Sequence, residues 1–168
     1  FFKPIRKGGR GAEIGVFDGS FSKEILATCE PAMLHLVDKW EGVQGSGDRN
    51  GENIRTLNMP EAMTALANEM PDNAQVIKSD GAVWLWNQPE NSLDFVYLDS
   101  EHSRHCVRRE LAAARRAVKP GGVIMGHDHE WRDFNGGFAG VIHAVNEFAQ
   151  RFCAEVELTR EDKLASFR

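Results

Sequence analysis

The sequence predicts an α/β protein: a mostly parallel, seven-stranded sheet between two layers of helix, closed at its C-terminal end by an antiparallel hairpin. Three observations lead there. Short apolar runs alternate with stretches of helical periodicity along residues 13–152, the pattern of a parallel sheet covered on both faces. A glycine-bearing turn, Gly15-Val16-Phe17-Asp18-Gly19, joins the first run to the first helical stretch, as in open sheets that bind ligands above their strand ends. The last two runs, Ala154–Leu158 and Lys163–Phe167, are separated by Thr159-Arg160-Glu161-Asp162, which suits a hairpin. No repeat, low-complexity tract or linker divides the chain, so residues 1–168 read as a single domain, large enough to bury roughly 70% of the surface its unfolded form exposes.

The elements follow in order. Residues 1–11 carry Lys3, Arg6, Lys7 and Arg10 among glycines and read as a lead-in loop. The first strand is expected at Glu13–Phe17. A helix follows over Ser20–Cys29, where Phe21, Ile25 and Leu26 recur at helical spacing and Pro31 marks the end. Met33–Val37 is short enough for a buried strand and stops at Asp38. Glu41–Asn53 is polar and glycine-rich, without the Lys-Ser/Thr pair of a phosphate loop. Pro60 suits the first turn of a helix carrying Met63, Leu66, Ala67 and Met70. Ala74–Lys78 is a third strand, after which Trp84 and Trp86 sit in a short helix or turn and are expected to pack.

Leu93–Leu98 is the fourth strand. In the helix Ser103–Val118, Val107, Leu111, Ala114 and Val118 form a core face, with Arg108, Arg109, Arg115 and Arg116 on the solvated side. Lys119-Pro120-Gly121-Gly122 is a stop signal before a fifth strand, Val123–Gly126. Val141, Val145, Phe148 and Phe152 repeat the core spacing in a last helix.

Composition narrows the function. Apolar and charged fractions of 42% and 27% belong to an ordinary globular protein. A net charge of −5 disfavours nucleic acid as a partner, since phosphate binding wants an excess of Lys and Arg. Cys29, Cys106 and Cys153 are odd in number and lack metal-finger spacing, so buried free thiols in a reducing, cytoplasmic setting are expected. No apolar run reaches a membrane span, and no signal peptide is visible. The chain opens at Phe1-Phe2-Lys3 without Met, which leaves a preceding segment open.

Chemistry concentrates at the carboxyl ends of the expected strands. Glu13, Asp38, Asp80, Asp99 and Asp128 stand at five successive ends. One acidic strand end is usually a helix cap, but five on one rim exceed what capping needs. Asp38 follows Gly19 by 19 residues, close to the ~20-residue offset at which an acidic side chain reaches ribose hydroxyls.

Glu13-Ile14-Gly15 with Gly19 four places on, Leu93–His102, Lys119-Pro120-Gly121-Gly122-Val123-Ile124 and Gly126-His127-Asp128 together make a signature. From Gly11 to Asp128 the chain resembles class I S-adenosylmethionine-dependent methyltransferases, and within them macrocin- and catechol-type O-methyltransferases and cephalosporin-hydroxylase-like proteins. The resemblance implies a Rossmann-like three-layer fold and S-adenosylmethionine as cofactor. It implies that Glu13, Gly15 and Gly19 line the amino-acid end of the cofactor and that Asp38 binds its ribose. Trp40 would pack near the adenine, and Asp80 and Gly81 would border it, with Asp80 accepting from the exocyclic amine. Asp99 would lie where cofactor and acceptor meet.

His102 stands three places after Asp99, and the two are the expected catalytic pair: His102 is our choice for the base that takes a proton from an acceptor hydroxyl, because neutral imidazole is poised near working pH. Asp99 and Asp128 would share a divalent cation in the metal-using relatives. Here the chain departs from them: His129 stands where catechol-type relatives have Asn and macrocin-type relatives Asp. Imidazole suits transition ions better than Mg²⁺, so dependence on Mg²⁺ stays open.

The missing GxGxxG disfavours a dehydrogenase, and no Asn/Asp-Pro-Pro-aromatic motif for a flipped base occurs. The leading expectation is methyl transfer to a small-molecule acceptor, with a hydroxyl favoured. The alternative is a non-catalytic nucleoside-binding module. An acceptor pocket would have to come from the loops at 41–58 and 129–138, from a preceding segment or from a partner subunit; a homo-oligomer stays open.

Overall fold

The computed structural model describes residue 5, residues 7–46, 55–129 and 140–159, and residue 167. Among these residues seven strands and five helices are formed: β1 (Arg10–Ile14), α1 (Ser20–Cys29), β2 (Met33–Asp38), β3 (Val43–Ser46), β4 (Arg55–Asn58), α2 (Met59–Glu69), β5 (Ala74–Lys78), α3 (Gly81–Trp86), β6 (Leu93–Leu98), α4 (Arg104–Ala117), β7 (Val118–Gly126) and α5 (Gly140–Phe152). The main sheet has five strands in the order β5-β2-β1-β6-β7, all parallel.

Period-two alternation splits the core into two halves. Leu34 and Leu36 of β2 and Phe95 and Tyr97 of β6 face α1 and α2, where Ile25, Cys29, Met59 and Leu66 are buried. Ala12, Ile14, Val37, Val96 and Leu98 face the opposite layer, built from Leu85 of α3, Val107 and Leu111 of α4, and Val141 and Val145 of α5. Full burial of such side chains contributes about 1.5–3 kcal/mol each. This is a three-layer αβα sandwich.

The sequence reading is corrected in three places. Among the described residues the main sheet is five-stranded rather than seven-stranded. Of the expected C-terminal hairpin, residues 160–166 lie outside the described residues, and Phe167 makes isolated antiparallel bridges to Gly126 and Leu158. The first strand begins at Arg10 rather than Glu13, because Gly11 belongs to the sheet. A Cβ there would sit 2.0 Å from the Phe95 ring, so the glycine makes room for an aromatic on the neighbouring strand. Lys119–Gly122 does not precede the last parallel strand but lies inside β7, with a register shift between Leu93 and Phe95.

Three smaller corrections concern the polar loop, the cysteines and Trp86. Val43–Ser46 and Arg55–Asn58 pair antiparallel as a two-stranded ribbon within the expected loop. The cysteines are all free, as expected, but only Cys29 is buried; Cys106 is half-buried and Cys153 exposed. Trp86 is 51% exposed rather than packed, whereas Trp84 lies against His35 at 5.1 Å between ring centroids. Among the described residues no helix is long and apolar enough to cross a membrane.

Connectivity positions the site. From β1 the chain steps outward through β2 to β5, then returns across to β6 and β7. The strand order therefore reverses between β1 and β6, and a crevice opens beyond their carboxyl ends, as such switch points produce. Backbone hydrogen bonds continue past the strands and hold the ends in line: Gly15 N–H to Val37 O (2.9 Å), Asp99 N–H to Ile14 O (2.7 Å), Ser79 N–H to Asp38 O (2.8 Å) and His127 N–H to Leu98 O (3.0 Å).

Candidate active site

The crevice above β1, β2, β5 and β6 has a volume of about 380 Å³. Gly15, Asp38, Asp80, Gly81 and Asp99 line it, together with Lys39, Ser100, Arg109 and Glu110. Five of the eight residues expected to touch the cofactor are thus on its wall. Glu13, Gly19 and Trp40 are not among its lining residues, and each has a structural reason.

Glu13 lies on the α1 side of β1, by the alternation that sends Ala12 and Ile14 the other way. It is 1% exposed and accepts a hydrogen bond from the Ser22 hydroxyl at 2.5 Å. Burial pushes its carboxyl up to about 8, against the pull of that bond. Gly19 is the N-cap of α1 with φ 76°, and a Cβ on it would sit 2.2 Å from Leu66 Cδ1. Trp40 is fully buried, with its indole N–H donating to the Phe17 carbonyl at 3.1 Å. It props the turn from behind.

The turn itself is held by Asp38. Its Oδ2 accepts from Val16 N–H at 2.8 Å and Phe17 N–H at 3.1 Å, and its Oδ1 accepts from Trp40 N–H at 2.9 Å. Gly15 has φ +88°, and a Cβ there would fall 2.1 Å from the Asp99 carbonyl oxygen. Glycine is required where the end of β6 crosses the start of the turn. Gly81 opens α3, and a Cβ on it would meet Ile14 Cγ2 at 2.1 Å.

Asp80 caps α3 by accepting from Val83 N–H at 3.0 Å. The same carboxylate meets Arg109 at 3.3 Å and Lys39 at 3.4 Å. Although desolvation works the other way, the Val83 bond and these two cations hold Asp80 below its ordinary range.

Beyond Asp99 the crevice meets a second cluster. His102 Nε2 is 3.4 Å from Asp99 Oδ1 and 3.2 Å from Asp128 Oδ2. His127 Nδ1 lies 3.0 Å from Asp128 Oδ1 and 4.0 Å from Asp99 Oδ1. The hydrogen bond to Asp99 raises the His102 pKa, and the bond to Asp128 raises that of His127. Asp99 and His102 do not share a helical turn, because Ser103 is the N-cap of α4 and accepts from Cys106 N–H. They meet in the turn before it. Asp99, His102 and Asp128 each offer a ligand atom within 4.8 Å of the others. His129 is buried beside Phe167, their rings 6.2 Å apart.

Sequence reasoning missed Ser100, Lys39, Arg109 and Glu110. For Glu110 a signal existed: it sits three places after Val107 and beside Leu111, on the apolar face of α4, where a carboxylate is out of place without a purpose. Of the loops expected to shape an acceptor pocket, residues 47–54 and 130–139 lie outside the described residues.

Fold and site together define an α/β protein with a ligand crevice at its switch point, carboxylates on one wall and a His–Asp cluster at one end. The chain belongs to the methyltransferase-domain family, which matches residues 12–129. No curated protein matches it in sequence. Similar solved structures share the fold at low identity. One is precorrin-6y C5,15-methyltransferase of Geobacter metallireducens, with TM-score 0.65, 13% identity, and 99% of this chain and 82% of that one covered. Another is an O-methyltransferase family protein of Burkholderia thailandensis, with TM-score 0.65, 11% identity, and 95% and 49% covered. A third is phosphoethanolamine N-methyltransferase 2 of Haemonchus contortus, bound to phosphomonomethylethanolamine and S-adenosylhomocysteine, with TM-score 0.62, 18% identity, and 94% and 36% covered. The chain thus spans about a third of that last protein.

Proposed function

We propose that this chain transfers the methyl group of S-adenosylmethionine to a hydroxyl of a small-molecule acceptor. The observation that carries the reading is the position of Asp99, which lines the crevice and also contacts His102 at 3.4 Å. One residue joins a nucleoside-sized cleft to a proton-accepting cluster.

On this reading the ribose lies over Asp38. One of its four lone-pair sites remains after three backbone bonds, so it holds the turn and accepts a ribose hydroxyl together. The amino-acid end lies toward Gly15 and the adenine toward Ser79–Ala82. An acceptor hydroxyl sits at the Asp99 end. His102 takes its proton while the oxygen attacks the methyl carbon and the sulfur–methyl bond breaks in line, leaving S-adenosylhomocysteine. Asp99 and Asp128 hold the imidazole in orientation and stabilise the imidazolium that forms.

The donor chemistry also fits a divalent cation, since two carboxylates and an imidazole come within 4.8 Å of one another. Asp99 and Asp128 would hold it, and when bound it would supply Lewis-acid activation of the acceptor oxygen. The imidazoles beside them favour a transition ion over Mg²⁺.

Transfer of a labelled methyl group to a panel of hydroxylated small molecules, with added metal ions and with chelator, tests the reading. Labelled ether product from at least one hydroxyl is expected. Cofactor binding with no transfer to any acceptor would contradict it and favour a nucleoside-binding module. Methylation of amines alone would overturn the choice of oxygen.

A further inference from the structure

Glu110 is the carboxyl that a helix interior, rather than a strand end or turn, brings to the described crevice wall. It rises from α4, is 5% exposed, and borders the same stretch of crevice as Asp80–Ala82. Its Oε1 accepts from the Ser100 hydroxyl at 2.5 Å and lies 3.2 Å from the point where a Gly81 Cβ would be. Gly81 thus leaves the carboxyl uncovered at the end of the crevice assigned above to adenine. Asp80, by contrast, is committed: Oδ1 serves Val83 N–H and Arg109, and Oδ2 serves Lys39.

Resting on the cofactor reading above, we infer that Glu110 accepts the exocyclic amine of the cofactor's adenine and sets a preference for adenine over a 6-oxo purine. A buried carboxyl is costly unless it gains a partner, and one hydroxyl donor leaves most of its acceptor capacity unused. An amine donor answers that need; a 6-oxo group presents a lone pair to a lone pair. Ser100 fixes the side-chain orientation, and Asp80 serves as helix cap and anchor for Lys39 and Arg109. Burial pushes the Glu110 carboxyl up to about 7. The carboxylate form accepts from an amine and repels a 6-oxo oxygen, whereas the protonated form can also donate its O–H to that oxygen, so the preference belongs to the ionised carboxyl and is read above about pH 7.

Calorimetry at about pH 8.5, where the Glu110 carboxyl is ionised, with S-adenosylhomocysteine and its hypoxanthine counterpart, S-inosylhomocysteine, tests this on the whole chain. The wild-type protein should prefer the adenine ligand by about tenfold or more. Glu110→Gln should bring the ratio to within about threefold, because the amide both accepts from an amine and donates to a 6-oxo group. Asp80→Asn should weaken both ligands alike and leave the ratio unchanged. Ser100→Ala gives an independent arm should Glu110→Gln fold poorly: losing the hydroxyl that orients the carboxyl should lower the ratio about threefold. A ratio unchanged in both Glu110→Gln and Ser100→Ala, or one that collapses in Asp80→Asn, would overturn the inference. Wild-type protein that binds both ligands equally would defeat it while the cofactor reading stands. Binding of neither would defeat the cofactor reading itself.

Discussion

The two ends of the crevice are built on opposite principles. At the Asp38–Asp80 end the protein itself takes up most of what these two carboxylates can accept: Asp38 takes three backbone N–H groups, and Asp80 a helix cap and two cations. That end is preorganised, and it holds the turn whether or not a ligand is bound. At the Asp99–Asp128 end two carboxylates face two imidazoles at 3.0–4.0 Å, an arrangement whose protonation can change. Binding needs fixed dipoles, whereas proton transfer needs a group whose charge changes near neutral pH. The contrast predicts that substitutions at the two ends fail in different ways.

The largest separation is expected at His102. His102→Ala should lower methyl transfer by about 10²–10³-fold, as loss of a general base does, followed by labelled-methyl release in single-turnover mixtures. The ordinary pH profile sharpens the point. On the proposed reading His102 acts in its neutral form, so kcat/KM should rise with pH through a midpoint above 6.5, because Asp99 and Asp128 raise its pKa. The stability contributed by the same pairing runs the other way: it is complete below the unfolded value near 6.5 and is lost as pH rises through the folded value.

At the opposite end, Gly15→Ala should destabilise the fold by about 1–3 kcal/mol in urea unfolding, from a positive φ and a Cβ driven into the Asp99 carbonyl. A stability equal to wild type would show that the crossing of β6 over the turn is wrongly drawn.

An effect confined to the upper pH range tests the buried support of the turn. The Glu13 pKa is raised from 4.5 to about 8, so the folded state binds the extra proton between those values and stability falls as pH rises across them. Glu13→Gln keeps the Ser22 bond and removes the titration. The variant should gain stability relative to wild type as pH rises from 5 to 8, by on the order of a few kcal/mol at the upper end. Parallel stability curves would contradict this.

Much of the fold was legible because buried parallel strands and amphipathic helices leave distinct periods. Val107, Leu111 and Ala114 mark α4, and Leu93–Leu98 marks β6, from spacing alone. The start of β1 was not, since Gly11 looks like a loop residue until Phe95 is seen beside it. Strand-end carboxylates were found because a rim position is a sequence property. Which way each side chain turns was harder. Glu13 is one place from Ile14, and the alternation that buries Ile14 under α3 and α4 sends Glu13 to Ser22. Trp40 read as a wall for adenine, but its positive φ of 42° turns it under the glycine turn. Glu110 lay outside any strand end, and its signal was a carboxylate on the apolar face of α4.

The most direct measurement is calorimetry of S-adenosylhomocysteine with wild-type, Asp38→Ala and His102→Ala protein. One ligand should bind per wild-type chain. Asp38→Ala should lose about tenfold or more in affinity, because three backbone donors and a ribose contact go together, while His102→Ala should stay within about threefold of wild type. No binding by the wild-type chain at millimolar ligand, or equal losses in the two variants, would contradict the division of the site into a binding end and a reacting end.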